Sequence, residues 1–157
     1  MKGEVLVFAD VDPAVPEAAE LISALDSDLG ARYPGALIHG IDAASFRAAG
    51  GVFLLGRLGD RAVACGALRP INTDAVEVKR MYVRSSHRGR GFGRAMLAAL
   101  EEIARERGYR VIRLETGDGQ PEAIALYESA GYQPIPCYGD YAEDPHSRCF
   151  EKRLASV

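Results

Sequence analysis

The sequence predicts one mixed α/β domain, a central and mostly antiparallel twisted sheet of about seven strands flanked by about four helices. Three observations predict it. The chain has 157 residues, 48% of them hydrophobic and 26% charged, the size and make-up of a single globular domain spanning 1–157. Three strand-like runs follow one another between residues 52 and 83. Beyond them helical and strand-like periods alternate, and strands grouped first with helices interleaved later build a mixed sheet covered on both faces.

Residues 4–9, EVLVFA, read as the opening strand. Pro16 begins a helix whose apolar face is Leu21, Ile22, Leu25 and Leu29, with Gly30 as its stop. Residues 31–40, ARYPGALIHG, carry Pro and Gly without a sustained period and read as a loop. Asp42 then caps a short helix, AASFRAA, closed by Gly50 and Gly51. VFLLGRL and RAVACGAL meet at a tight turn, Gly59-Asp60, and VEVKRMYV follows the break at 70–74, giving three consecutive antiparallel strands.

A helix runs from Gly91 to Arg107 with Phe92, Met96, Leu100 and Ile103 on one stripe, and Gly108 suits a left-handed stop. RVIRLET is the next strand. Pro121 to Ala130 is a second helix of this half, with proline in its first turn and Gly131 after its end. YQPIPCY, a polar loop GDYAEDPHSR and a last strand over 149–154 complete the chain.

Net charge is −3, which argues against nucleic acid or an anionic membrane as partners held by overall attraction. No apolar run has the length of a membrane span, and the opening MKGEVLVFADVD is too short and too acidic for a signal peptide. Cys65, Cys137 and Cys149 are odd in number, widely spaced and form no CxxC pair, so neither a disulfide framework nor a zinc site is expected. His39, His87 and His146 show no ligand spacing either. The expectation is a reduced, cytoplasmic protein without a metal.

Local charge differs. Lys79, Arg80, Arg84, Arg88, Arg90 and Arg94 fall in one window with His87 and no carboxylate. Inside it, His87-Arg88-Gly89-Arg90-Gly91-Phe92-Gly93-Arg94 joins a strand to an amphipathic helix. Glycines allow close backbone approach to a ligand, and a helix N-terminus offers unpaired N–H groups with partial positive charge. That is a cradle for phosphate or pyrophosphate. A dinucleotide fold fits less well, because the spacing is G-x-G-x-G and the preceding strand is charged. A Walker A loop fails for want of GK[ST]. An RGG-like nucleic-acid segment fails because the stretch continues into a periodic helix within an acidic protein.

Two segments resemble the GNAT N-acetyltransferase superfamily. Arg88-Gly89-Arg90-Gly91-Phe92-Gly93 matches its acetyl-CoA motif, [Q/R]-x-x-G-x-[G/A], opening a helix after a strand. Gln120 to Tyr132 matches its second element, N-x-x-A-x-x-L-Y-x-x-x-G-[FY], at Ala123, Leu126, Tyr127, Gly131 and Tyr132, with Gln120 in the place of Asn. The resemblance covers about residues 50–154. It implies an acetyl-CoA-dependent N-acetyltransferase acting on a primary amine of a small molecule, peptide or protein by direct attack in a ternary complex. The alternative is a non-catalytic CoA-binding sensor module, and a nucleotide-binding oxidoreductase is more distant. The resemblance also makes a homodimer an expectation.

Its site residues carry over as follows. Backbone N–H groups from Arg88 through Gly89, Arg90, Gly91, Phe92 and Gly93 to Arg94 would hold the pyrophosphate. Met81, Tyr82 and Val83 would run beside the pantetheine arm, with Gln120 contacting it and an N–H near Met81 polarising the thioester carbonyl. Tyr127 would protonate the departing thiolate, a role suited to a phenol. Glu77 stands where the histone-acetyltransferase branch has its general base, although a strand glutamate paired with Lys79 or Arg80 is an equal reading. Glu115 reads as a structural or rim carboxylate.

Tyr33, Tyr138, Tyr141, Ser147 and Cys149 lie in segments that the family uses to shape the acceptor pocket, together with Glu77. Asp140, Glu143 and Asp144 would suit a cationic acceptor, unless they form a solvated loop. Cys149 as an acetyl-accepting nucleophile lacks a histidine partner, and a strand cysteine is more often a small buried hydrophobe.

Overall fold

A computed structural model describes residues 5–32 and 43–155. The chain forms β1 (Val7–Asp10), α1 (Pro16–Arg32), α2 (Ala43–Ala48), β2 (Val52–Leu58), β3 (Arg61–Pro70), β4 (Ala75–Val83), α3 (Phe92–Glu106), β5 (Val111–Gly117), α4 (Pro121–Ser129), β6 (Gln133–Ile135) and β7 (Ser147–Arg153). Short 3₁₀ turns occupy Ser85–His87 and Gly139–Tyr141. The seven strands make one sheet in the order β1-β2-β3-β4-β5-β7-β6. Among the described residues only β4 and β5 pair in parallel.

Helices cover both faces. On one face Ala18 and Leu21 of α1 and Phe46 of α2 pack against Phe53, Leu55 and Ala67. On the other, Phe92, Met96, Leu97 and Leu100 of α3 and Tyr127 of α4 pack on Val76, Val78, Ile112 and Leu114. The approach of α3 to β3 is close: a Cβ on Gly66 would lie 2.8 Å from Leu100 Cδ1. The hairpin at Gly59-Asp60 forms as expected, with Gly59 at φ 61° and Leu58 opposite Arg61. Gly108 and Gly131 are left-handed after α3 and α4, also as expected.

Some boundaries differ from the sequence expectation. Gly30 lies inside α1, because it does not take the positive φ that a glycine stop requires. β7 starts at Ser147 rather than at Cys149, since its ladder to β5 continues to the pair Gly117↔Ser147. No described helix is long and apolar enough to cross a membrane.

Two irregularities in the middle of the sheet create the site. Two residues of β4, Arg80 and Met81, oppose one of β3, Gly66, between the pairs Ala67↔Lys79 and Cys65↔Tyr82, a β-bulge that leaves Arg80 and Met81 without ladder partners. Arg80 is the one non-glycine residue at positive φ, 57°, among the described residues. The surroundings hold it there: its guanidinium pairs with Asp26 of α1, and Cys65 Sγ donates to its carbonyl at 3.2 Å. In addition, β4 and β5 pair only from Ala75↔Val111 to Val78↔Leu114. Past Val78 the two strands separate, so the sheet has a V-shaped opening at its centre.

Candidate active site

The opening leads into a cleft of about 250 Å³ bounded by the end of β4, the loop into α3 and the face of α4. Met81, Tyr82, Val83, Arg88, Gly89, Gly91, Phe92, Gly93, Gln120 and Tyr127 all line it. Of the positions expected to hold the co-substrate, Arg90 and Arg94 are not in its wall. Arg90 is exposed, and Arg94 donates to Ser129 Oγ at 2.6 Å, tying α3 to α4.

The cradle is made by the backbone. Gly91 is the N-cap of α3 at φ 82°, with no side chain to cap the first turn. The leading N–H groups of a helix lack intrahelical acceptors. Gly89 has φ 79°, and a Cβ on either glycine would meet nothing within 4 Å. The arginine window contributes differently from the sequence expectation. Arg80, Arg84 and Arg88 pair with Asp26, Glu20 and Asp28, all on α1. Arg88 also donates to the Val83 carbonyl at 2.9 Å and stacks on Tyr82. These cations fasten β4 and the loop to α1, leaving the helix terminus to receive an anion.

Tyr127 sits at the inner end of the cleft, 6% exposed, with its ring against Tyr132 and Phe150. Burial, and then the nearby Glu115 carboxylate, push its phenol above the ordinary tyrosine range. It therefore stays protonated and can donate.

The comparisons with known proteins agree with this geometry. The sequence model of the Acetyltransferase (GNAT) family matches residues 19–132. The chain is 36% identical over 151 residues to an IAA acetyltransferase of Azospirillum brasilense, covering 95% of this chain and 98% of that one. The chain belongs to the GNAT acetyltransferase family. A Klebsiella pneumoniae protein assigned as an acyl-CoA N-acyltransferase has the same fold with a TM-score of 0.81 and 35% identity, over 96% of this chain and 98% of that one. An Elizabethkingia anophelis GNAT acetyltransferase with acetyl-CoA bound shares the fold at a TM-score of 0.72 and 15% identity, over 95% of this chain and 98% of that one.

In this GNAT acetyltransferase the opposite side of the splay carries a buried polar network. Glu77 is fully buried, with Oε2 accepting from Tyr138 OH at 3.0 Å and Oε1 lying 3.5 Å from Arg69 Nε. The ion-pair partner is thus Arg69 across β3, not Lys79 or Arg80 as the sequence suggested. Lys79 Nζ donates to Tyr141 OH at 2.7 Å. Glu115 Oε2 accepts from Ser147 Oγ at 2.6 Å. Burial, with Glu77 next, raises the phenols of Tyr138 and Tyr141, while burial lowers Lys79 against the pull of Glu77.

Of the residues expected at the acceptor pocket, Glu77, Tyr138 and Tyr141 lie together, whereas Tyr33 lies outside the described residues. Cys149 requires a correction. Its sulfur is bonded to that of Cys137, with Cα atoms 5.1 Å apart, because the ladder of β6 with β7 brings the segment after Ile135 back beside Cys149. Cys149 is 3% exposed and has no thiol to offer an acceptor or an acetyl group. The pairing also removes the cysteine argument for a reducing compartment. Asp140 and Glu143 are exposed and Asp144 caps the His146 N–H, so these acids do not line the network. Arg69 escaped the sequence reading, and Lys79 entered it only as a cation of the basic window and a possible partner of Glu77. The available signal was the alternation Glu77, Lys79, which places both side chains on one face of a strand.

Proposed function

We propose that the protein acetylates a primary amine with acetyl-CoA by direct attack in a ternary complex. The observation that carries this reading is the β4–β5 splay: one cleft joins the uncapped N-terminus of α3, the unpaired end of β4 and the Tyr127 phenol. Backbone N–H groups of 89–93 hold the pyrophosphate, and Met81, Tyr82, Val83 and Gln120 line the pantetheine arm. Met81, freed from the ladder by the bulge, offers its N–H to the thioester carbonyl, where negative charge develops as the amine attacks. Tyr127 donates a hydrogen bond, then its proton, to the departing sulfur.

Glu77 serves as the proton sink for the amine, acting through Tyr138. The fully buried carboxylate reaches the acceptor side by way of the phenol that donates to it, so Tyr138 can take a proton on its oxygen as it passes its own to Glu77. The reading also takes the protein as cytoplasmic and free of metal, and as independent of nucleic acid and anionic membranes, the last two supported by its net charge of −3. Pairing of two copies, which the resemblance implies, is read by light scattering.

The test is Tyr127→Phe. Turnover at saturating acetyl-CoA should fall by about 10²-fold or more, the scale of one general acid, while acetyl-CoA still raises the melting temperature as in wild type. Full turnover in the variant would remove Tyr127 from the chemistry.

A further inference from the structure

On the sheet face beyond α1 and α2, two polar rows cross the central strands. The first is Arg69, Glu77, Arg113 and Glu151, four residues in direct cross-strand register. Its charges are matched within the row, Arg69 with Glu77 at 3.5 Å and Arg113 with Glu151 at 2.8 Å. The second lies two residues further along, Lys79 on β4 and Glu115 on β5, on the same face because strand side chains alternate. Val78↔Leu114 is the last β4–β5 pair, so Lys79 and Glu115 are the first residues beyond it, facing each other over the mouth of the splay.

The cation and the anion of this second row stand on the two strands that part at the opening. Lys79 is 8% exposed, and its ammonium has three N–H donors. Among the described residues one hydrogen-bond acceptor meets it, the Tyr141 oxygen at 2.7 Å. Glu115 is fixed from the far side by Ser147 Oγ and lies close enough to Tyr127, Lys79 and Tyr141 to act on all three electrostatically. It therefore stands between the acid of the reaction and the acceptor wall. A cation and an anion on the two strands that part at the splay are complementary to a ligand carrying both charges.

We propose that Lys79 and Glu115 select a zwitterionic acceptor, a free amino acid or a close analogue, with Glu115 binding its ammonium group and Lys79 its carboxylate. This rests on the acetyl-transfer reading above and names the acceptor class for it. A simple polyamine would place a second positive charge against Lys79, and a lysine side chain within a protein has no carboxylate to offer it.

The experiment compares the common L-amino acids with their methyl esters, which keep the ammonium and lose the negative charge. Rates are measured with acetyl-CoA, and binding is measured by calorimetry on the free protein and on its CoA complex. At least one amino acid should be preferred to its ester by about tenfold or more in kcat/KM, carried by KM, the scale of one hydrogen bond to a charged group. Lys79→Met, similar in length and suited to a buried position, should abolish that preference without weakening acetyl-CoA binding. Glu115→Gln, which can keep the Ser147 hydrogen bond, should raise KM for acid and ester alike. The proposal is overturned if esters react as well as acids, if Lys79→Met keeps the discrimination, or if no amino acid binds. Acetylation of esters and amines alone would sink this inference and leave acetyl transfer standing. Failure of acetyl-CoA to bind would sink the acetyl-transfer reading, while the calorimetry still decides the Lys79–Glu115 pair.

Discussion

Tyr138 donates its phenolic proton to Glu77 across 3.0 Å, covering a carboxylate that has no exposure of its own. The pair links the polar loop after β6 to the centre of the sheet, and its removal has two separable effects. Tyr138→Phe leaves a buried charge short of one hydrogen bond, a loss of about 1.5–3 kcal/mol, seen as a lower denaturation midpoint. It also cuts the route from the amine to Glu77, so kcat should fall while the Kd for acetyl-CoA stays unchanged. Unchanged kcat in a folded Tyr138→Phe protein would detach Glu77 from the proton path.

Gly91 allows a sharper test of the anion cradle. Its φ of 82° costs a residue with a side chain roughly 1–2 kcal/mol, yet a Cβ there meets nothing within 4 Å. Gly91→Ala should therefore lose about that much stability and still respond to acetyl-CoA. Gly91→Glu adds a negative charge at the helix terminus. At a hundred times its dissociation constant a ligand stabilises by about 2.7 kcal/mol, and the melting-temperature shift expressing it should appear in wild type and vanish in Gly91→Glu. A response in both proteins would move the pyrophosphate elsewhere.

Much of this site was legible because its parts are local. A glycine-rich segment running into the Phe92, Met96, Leu100 stripe specifies a helix with an uncapped N-terminus whatever the tertiary packing, and Leu126-Tyr127 followed by Gly131 fixes a helix with its stop. What remained hidden depends on contacts between distant segments. The arginines of 80–88 read as an anion patch because Glu20, Asp26 and Asp28, their partners, lie more than 50 residues away on α1. The bulge at Arg80 carries no glycine to announce it. Lys79 and Glu115 acquire meaning only from the register that ends at Val78↔Leu114.

Alkaline titration probes the buried phenols together. Burial is the first cause raising Tyr127, Tyr132, Tyr138 and Tyr141 above the ordinary value, and it raises the Cys65 thiol to about 12. A raised folded pKa means that from about pH 10, where an unfolded tyrosine ionises, the unfolded chain binds fewer protons than the folded one. Stability must then fall with rising pH. Lys79, lowered by burial, acts oppositely: between its folded pKa and 10.5 the unfolded chain holds the extra proton, and stability gains with pH. Four phenols outweigh one ammonium, so the melting temperature should decline steadily above about pH 10. Tyrosinate absorbance should show these four tyrosines ionising only as the protein unfolds. Ionisation of all the tyrosines before any loss of helix signal would contradict their burial.

The Cys137–Cys149 bond closes a loop with a sequence separation of 12, and that loop contains both Tyr138 and Tyr141. Cross-linking a loop of this size restricts the unfolded chain by an amount worth about 3 kcal/mol. Treatment with a dithiol should therefore lower the melting temperature of wild type. Cys137→Ser should start from the lower value and ignore the reductant. Because Tyr138 adjoins the bonded cysteine and reaches Glu77, the reduced protein should also lose turnover in the same sense as Tyr138→Phe, with acetyl-CoA binding retained. Identical melting curves with and without the dithiol would show that the loop is held by its phenol contacts alone. The Glu77 and Lys79 hydrogen bonds would then have to account for its order by themselves.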